Sequence, residues 1–177
     1  MLPDRIRPGL RLLFVGINPS LRSAELGHHY AGRGNRFWRL VFDAGLVPEP
    51  LTYADDVRLP EWGYGLTNLV RRPTRSAAEL TPEDYATGKR RLARLLRRHT
   101  PAAAALVGIT LYRALDRRHA GSVLLGQWSG TFAGTPLIVL PNPSGRNAAY
   151  TYRDMCEAFA RVPRLLRRLQ STNVQCL

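Results

Sequence analysis

Leu10-Arg11-Leu12-Leu13-Phe14-Val15, followed at once by Gly16-Ile17-Asn18-Pro19-Ser20, is the stretch from which the fold can be read. The first six residues form a short apolar run of the length and kind expected of a buried strand. Gly16, Asn18 and Pro19 then end it abruptly. In an open α/β sheet, ligands bind outside the carboxyl ends of the strands. Asn18 carries both a donor and an acceptor between residues that constrain the backbone. Taken alone, the same run reads equally as a plain strand-ending turn.

The rest of the chain supplies the context. Leu21 to Gly34 reads as a polar, Gly-containing loop without periodicity that holds Ser23, His28, His29, Tyr30 and Arg33. Asn35 is placed as an N-cap, and Phe37, Trp38, Val41 and Phe42 recur at helical spacing up to a stop at Gly45, as a core face. Leu46 to Trp62 carries Pro48, Pro50 and Pro60 and reads as a connection. Gly63 to Val70 is a second apolar segment with Asn68 near its end, before Arg71-Arg72-Pro73-Thr74. Thr81 and Asp84 make a capping pattern with Pro82 at the first helical position, and the helix they open carries Tyr85, Gly88, Leu92, Leu95 and Leu96 on one face. Its arginines read as a solvated face.

Ala102 to Val107 is a third strand, and a helix is expected from Thr110 to about Arg118. Gly121 to Gly130 reads as a loop, and Leu137 to Leu140 as the fourth strand. A last helix from near Ala148 buries Met155, Phe159, Val162, Leu165, Leu166 and Leu169, with Pro163 expected to kink or split it. Ser171 to Leu177 is expected to be a frayed tail. Alternating strands and helices predict an α/β three-layer sandwich: a central, mostly parallel four- to five-stranded sheet with helices on both faces, in one domain over residues 1–170.

With 177 residues and 45% hydrophobic content the chain can bury a real core. No apolar run reaches membrane-spanning length, and Met1 to Pro8 has no signal-like apolar core. Two cysteines, Cys156 and Cys176, are too few for a disulfide framework or a four-Cys zinc or iron–sulfur site, so a reduced, cytoplasmic protein without metal or other cofactor is expected. The net charge of +13, from 26 Lys and Arg against 13 Asp and Glu, points to a polyanionic partner. Lys89 is the single lysine, and drift in genome composition accounts for arginine over lysine but not for the excess over acids.

Two strand ends carry similar punctuation, Gly16-Ile-Asn-Pro-Ser20 and Pro141-Asn142-Pro143-Ser144-Gly145-Arg146-Asn147. In a parallel sheet they share one edge and can face one cleft. The first offers a polar side chain and free backbone N–H groups; the second offers a Ser-Gly turn able to hold phosphate, followed by an exposed Arg. His28, His29 and Tyr30 lie between, where an aromatic can stack on a base. A base pocket beside a phosphate clamp is what an enzyme needs to draw a base out of a duplex.

Gly16-Ile-Asn-Pro-Ser20, Asn35-Arg-Phe-Trp38, Gly65-Leu-Thr-Asn-Leu-Val-Arg-Arg-Pro-Thr74 and Leu140-Pro-Asn-Pro-Ser-Gly145 together resemble the mismatch-specific uracil/thymine DNA glycosylase family, in the same order from about Leu12 to about Leu169. The resemblance implies a base-excision repair enzyme that removes uracil, preferentially opposite guanine, from double-stranded DNA and leaves an abasic site; a monomer is the natural default for a protein that clamps one lesion. By the resemblance, Asn18 positions the water that attacks the deoxyribose. Gly16 lies in the base pocket, backbone donors around Ile17 and Tyr30 hold the uracil carbonyls, and Tyr30 stacks on the base. Ser23 lies near the C5 edge and Asn68 reads the base edge. The loop with Asn142, Ser144, Gly145, Arg146 and Asn147 enters the DNA stack. Arg146 stands where bacterial members often have an apolar Leu, and Ser20 where Gly is usual.

An amide cannot take a proton at neutral pH, so Asn18 can only orient and polarise water. Asp84 is the carboxylate that would assist catalysis if one does, its other reading being the helix cap. A non-catalytic damage-binding module fits the charge equally well. A nucleotide-using small-molecule enzyme is the third reading, against which there is neither a G-x-G-x-x-G after the first strand nor a P-loop.

Overall fold

A computed structural model describes residues 2–115 and 123–174. The sheet is built from β1 (Leu12–Gly16), β2 (Tyr64–Asn68), β3 (Ala104–Val107), β4 (Trp128–Phe132) and β5 (Thr135–Leu140) in the order β2-β1-β3-β5-β4. β2, β1, β3 and β5 run parallel, and only β4 is antiparallel, paired to β5 through a register shift between Trp128 and Thr131. β1, β2 and β3 are buried along their whole length, as strands covered on both faces must be.

Side-chain alternation divides the core. Leu12, Phe14, Leu66, Ala105, Ile138 and Leu140 point to one face, and Leu13, Val15, Ala104, Leu106, Leu137 and Val139 to the other. The first face packs against α2 (Phe37–Asp43), α5 (Tyr152–Ala160) and α6 (Val162–Val174), with the Phe14 ring edge-on to Phe37 at 5.2 Å and stacked near Phe159 at 6.4 Å. The second packs against α3 (Pro82–His99) and α4 (Ile109–Leu115) through Leu92, Leu96, Leu111 and Tyr112. The three-layer α/β arrangement expected from the sequence is the one observed. α3 has the expected capping box between Thr81 and Asp84 with Pro82 at its start, and the last helix divides at Arg161, two residues before Pro163.

Several local expectations need correction. Leu21–Leu26 is a helix, α1, and not loop: Ser20 caps it by accepting from Ser23 N, and Gly27 ends it at φ 73°. Ser23 is its one buried residue, so end caps rather than an apolar stripe hold it, and no periodicity announces it. β4 occupies part of the expected 121–130 loop. It is an edge strand with Ser129, Gly130 and Thr131 in its middle and no fully buried residue, a pattern that propensity does not flag. The α2 N-cap is Arg36, although Asn35 Oδ1 accepts from Phe37 N at 3.0 Å, and Phe42 is 37% exposed rather than core. The expected end of α4 near Arg118 lies outside the described residues. Helical backbone in α6 runs to Val174, so the expected tail from Ser171 begins inside a helix, while 175–177 lie outside the described residues. No described helix is long and apolar enough to cross a membrane.

Candidate active site

From β1 the chain crosses to β2 on one side and then to β3 on the other, so β1 and β3 flank the point where strand order reverses. Loops leaving two such strands diverge and open a crevice at their carboxyl ends. A cleft of about 900 Å³ lies there, reached by Gly16 and Asn68 from β1 and β2 and by Val107 from β3. It brings together Gly16, Ile17, Asn18, Ser23, Tyr30 and Asn68 on one side with Asn142, Ser144, Gly145, Arg146 and Asn147 on the other. Of the residues singled out from sequence for the site, Asp84 and His28 do not line it. Arg22, Arg33, Arg75, Arg113 and Arg146 also line the cleft, and among the described residues no Asp or Glu does.

The segment after β1 continues the parallel pairing beyond the sheet. Leu69 N donates to Gly16 O and Val70 N to Ile17 O at 2.8 Å, Thr74 N to Pro19 O at 3.2 Å, and Ser20 bridges Thr74. The Asn18 side chain therefore lies along residues 72–74. Its Nδ2 donates to Thr74 Oγ1 at 2.7 Å, Arg72 O at 3.1 Å and Pro19 O at 3.2 Å. Thr74 Oγ1 in turn donates to Ser76 O at 2.7 Å, so it faces Asn18 as an acceptor. Carbonyls accept and never donate, so the reverse amide orientation would set oxygen against oxygen. The amide is locked with Nδ2 toward the protein, and Oδ1 has no partner among the described residues. Sequence reasoning gave Arg72 and Thr74 no role, though both lie in one quoted motif.

Tyr30, which lines the cleft, is stacked on Phe37, centroids 3.9 Å apart and planes 12° from parallel. Its φ of 55° is uncommon for an aromatic residue and is held in place by its neighbours. His29 N donates to the fully buried Asp56 at 2.8 Å, His28 Nδ1 and Arg5 Nε also meet Asp56, His29 Nε2 reaches Pro3 O, and Trp38 Nε1 donates to His29 O. His28 and His29 are thus scaffold rather than stacking groups, and burial pushes the His29 pKa below its ordinary value. The Tyr30 hydroxyl is buried without a partner, and burial pushes its pKa up, so it stays a neutral phenol. A Cβ on Gly16 would stand 2.5 Å from Asn68 Oδ1 and 3.5 Å from that hydroxyl, so glycine lets both side chains close over the strand end. Asn68 is 9% exposed and its amide has no partner among the described residues. The amide nitrogens of Ile17 and Tyr30 likewise have no acceptor there. Ser23 Oγ is committed locally, accepting from Ser20 Oγ at 3.0 Å and Ala31 N at 3.1 Å.

The opposite wall is tied to α2. Arg36 N donates to Pro143 O, and Arg36 Nη2 to Ser144 O and Asn147 O at 3.0 and 3.1 Å. The expected open phosphate nest is largely closed internally: Ser144 N donates to Asn142 Oδ1, Arg146 N to Ser144 Oγ and Asn147 N to Ser144 O. Gly145 N is left without an acceptor among the described residues, and Arg146 is exposed, its Nη1 donating to Arg75 O at 3.1 Å.

Asp84 borders a separate depression of about 260 Å³ with Arg72 and Gly88. It accepts Arg72 Nη2 at 2.6 Å and Arg72 Nε at 3.3 Å, and completes the α3 capping box. The Arg72 guanidinium holds its carboxyl far below the usual carboxylate range. An always-ionised group outside the cleft neither delivers nor accepts a proton there.

A profile of the uracil DNA glycosylase superfamily matches residues 3–167. Among solved structures, the solution NMR structure of a candidate uracil DNA glycosylase from Methanosarcina acetivorans superposes with a TM-score of 0.61 at 20% identity, covering 96% of each chain, a likeness that bears on the fold. The profile takes in the whole sheet and both walls of the cleft, and the chain belongs to the uracil DNA glycosylase superfamily, whose members are DNA-acting hydrolases.

Proposed function

We propose that this superfamily member is a monofunctional glycosylase of the mismatch-specific uracil/thymine type. It removes uracil from double-stranded DNA, preferring uracil opposite guanine, and leaves an abasic site. It acts as a monomer, with residues 1–170 as one domain. The observation that carries the reading is the locked Asn18 amide, whose Oδ1, without a partner among the described residues, borders a cleft to which those residues contribute five arginines and no carboxylate.

The arginines receive the phosphate backbone, and Arg146 fills the space left when the target nucleotide swings out. The uracil ring lies on the outer face of Tyr30, with Asn68 at its edge, Ser23 near C5 and the Ile17 and Tyr30 amides on its carbonyl oxygens. Asn18 Oδ1 accepts a hydrogen bond from a water and aims its oxygen at C1′. The C1′–N1 bond breaks with its electron pair on N1, the sugar becomes cation-like, and the water oxygen bonds to C1′ as its proton passes to solvent. Fixed N–H dipoles stabilise the departing uracil anion, each contributing about 3 kcal/mol. With no carboxylate among the described lining residues to activate the water, turnover is slow and product binding tight.

The test is incubation with duplexes holding G·U, A·U or G·T and with single-stranded uracil, followed by alkaline cleavage at abasic sites. G·U should react fastest. Absence of abasic sites in all four, with DNA binding intact, would make the chain a damage-binding module.

A further inference from the structure

Two of the three acceptors that lock Asn18 belong to a segment without regular structure, 54 and 56 residues downstream. Something must fix that segment, because a shift of about 1 Å in a positioning group can slow a reaction 100-fold. Pro73 stiffens it, and the Thr74–Pro19 bond fastens one end. The other end is fastened by the Arg72 side chain, which reaches away from the cleft onto Asp84 through two bonds and onto Glu79 O at 2.8 Å. Asp84 is itself tied into the α3 cap. Its Oδ2 also accepts Thr81 N at 2.9 Å and Thr81 Oγ1 at 3.1 Å, and its own N–H donates to Thr81 Oγ1. Gly88 lets α3 sit directly on the end of β2, where a Cβ would be 2.7 Å from Leu69 O. The backbone of Arg72 thus faces Asn18 while its side chain is bolted to a helix terminus.

We infer that Arg72 and Asp84 are positioning residues for the hydrolytic water: their ion pair holds residues 72–76 in the register that locks the Asn18 amide. This rests on the reading of Asn18 as the residue that aims the water. The pair is partly exposed, at 46% for Arg72 and 19% for Asp84, so it adds little to global stability. Its effect should fall on rate rather than on melting.

The test compares Arg72→Ala, Asp84→Asn and the double variant with wild type in single-turnover release of uracil from a G·U duplex, alongside Tm and DNA affinity. Each single variant should slow release by about 10-fold, with affinity within about 2-fold and a small change in Tm. The double variant should be no slower than the worse single one, since both break one link. Arg72→Lys should recover part of the rate, a lysine keeping the charge but not the two-pronged geometry. Glu49→Gln, which breaks a comparably exposed pair with Arg58, should leave the rate unchanged. A second readout needs no turnover: hydrogen exchange of the Asn18 side-chain amide, assigned by its loss in Asn18→Ala, should quicken in Arg72→Ala and Asp84→Asn. An active wild type matched in rate by both variants overturns the inference and leaves the function standing. A wild type that releases no base defeats the functional reading instead, and unchanged Asn18 exchange then overturns this inference as well.

Discussion

The tripeptide Asn-Pro-Ser occurs twice at the cleft, as Asn18-Pro19-Ser20 and as Asn142-Pro143-Ser144, and the two copies are used in opposite ways. Asn18 turns its nitrogen outward to a distant segment, and its oxygen has no partner among the described residues. Asn142 turns its oxygen inward, accepting from Ser144 N at 3.0 Å, and serves to shape its own loop. The first copy sits at the switch point of the sheet, where residues 69–74 run alongside it; the second follows β5, with Asn142 exposed. Identical residues leave an amide oxygen facing the cleft in one place and shape a turn in the other, and the neighbouring segment decides which.

The sharpest way to break this comparison is to alter the two asparagines in turn. Asn18→Ala should slow base release by about 100-fold or more with DNA affinity nearly unchanged, whereas Asn142→Ala should act mainly on affinity; single-turnover rates and binding isotherms separate the two. Asn18→Asp should be no better than Ala at neutral pH, although a carboxylate is the stronger base. Its second oxygen would face the Arg72 and Pro19 carbonyls, raising its pKa, so activity should partly return as pH falls and the carboxyl gains a proton to donate. A pH–rate profile with no acid-side recovery would show the amide to be free to turn.

Gly16→Ala should lower kcat/KM by about 10-fold, because its Cβ would displace Asn68 Oδ1 from 2.5 Å and leave the base edge unread. On the exposed wall, Arg146→Ala should weaken binding several-fold for every duplex and reduce the slope of log K against log salt by about 1. The smallest effect concerns the scaffold behind Tyr30. The folded-state pKa of His29 lies below its ordinary 6.5, so the unfolded chain binds the proton first. Its contribution is complete above about 6.5 and is lost as pH falls through the lower folded value. Chemical denaturation of wild type and His29→Gln between pH 7.5 and 5 should show the wild-type slope flattened in the variant.

Legibility followed burial and spacing. β1, β2, β3 and β5 were readable because strands covered on both faces are continuous apolar runs, and α3 because its cap and its stripe at Gly88, Leu92 and Leu96 agree. α1 and β4 were not, since caps hold the one and edge pairing the other, and neither needs an apolar pattern. Eleven of the twelve site positions singled out from sequence line one cleft; Asp84 stands apart, because a residue in a helix's first turn says nothing about which side of the sheet edge that turn occupies.

By itself the sequence determined the alternation of strands and helices, the excess of positive charge and the punctuation at the strand ends, because apolar period, composition and turn chemistry are local properties of the chain. Only the tertiary structure decided which asparagine is locked with its oxygen free, that His28 and His29 brace Asp56 instead of a ligand, and that Asp84 reaches Asn18 only through Arg72. Hydrogen-bond direction depends on the partner at hand, and these partners stand 12 to 56 residues away along the chain, brought into reach by the fold.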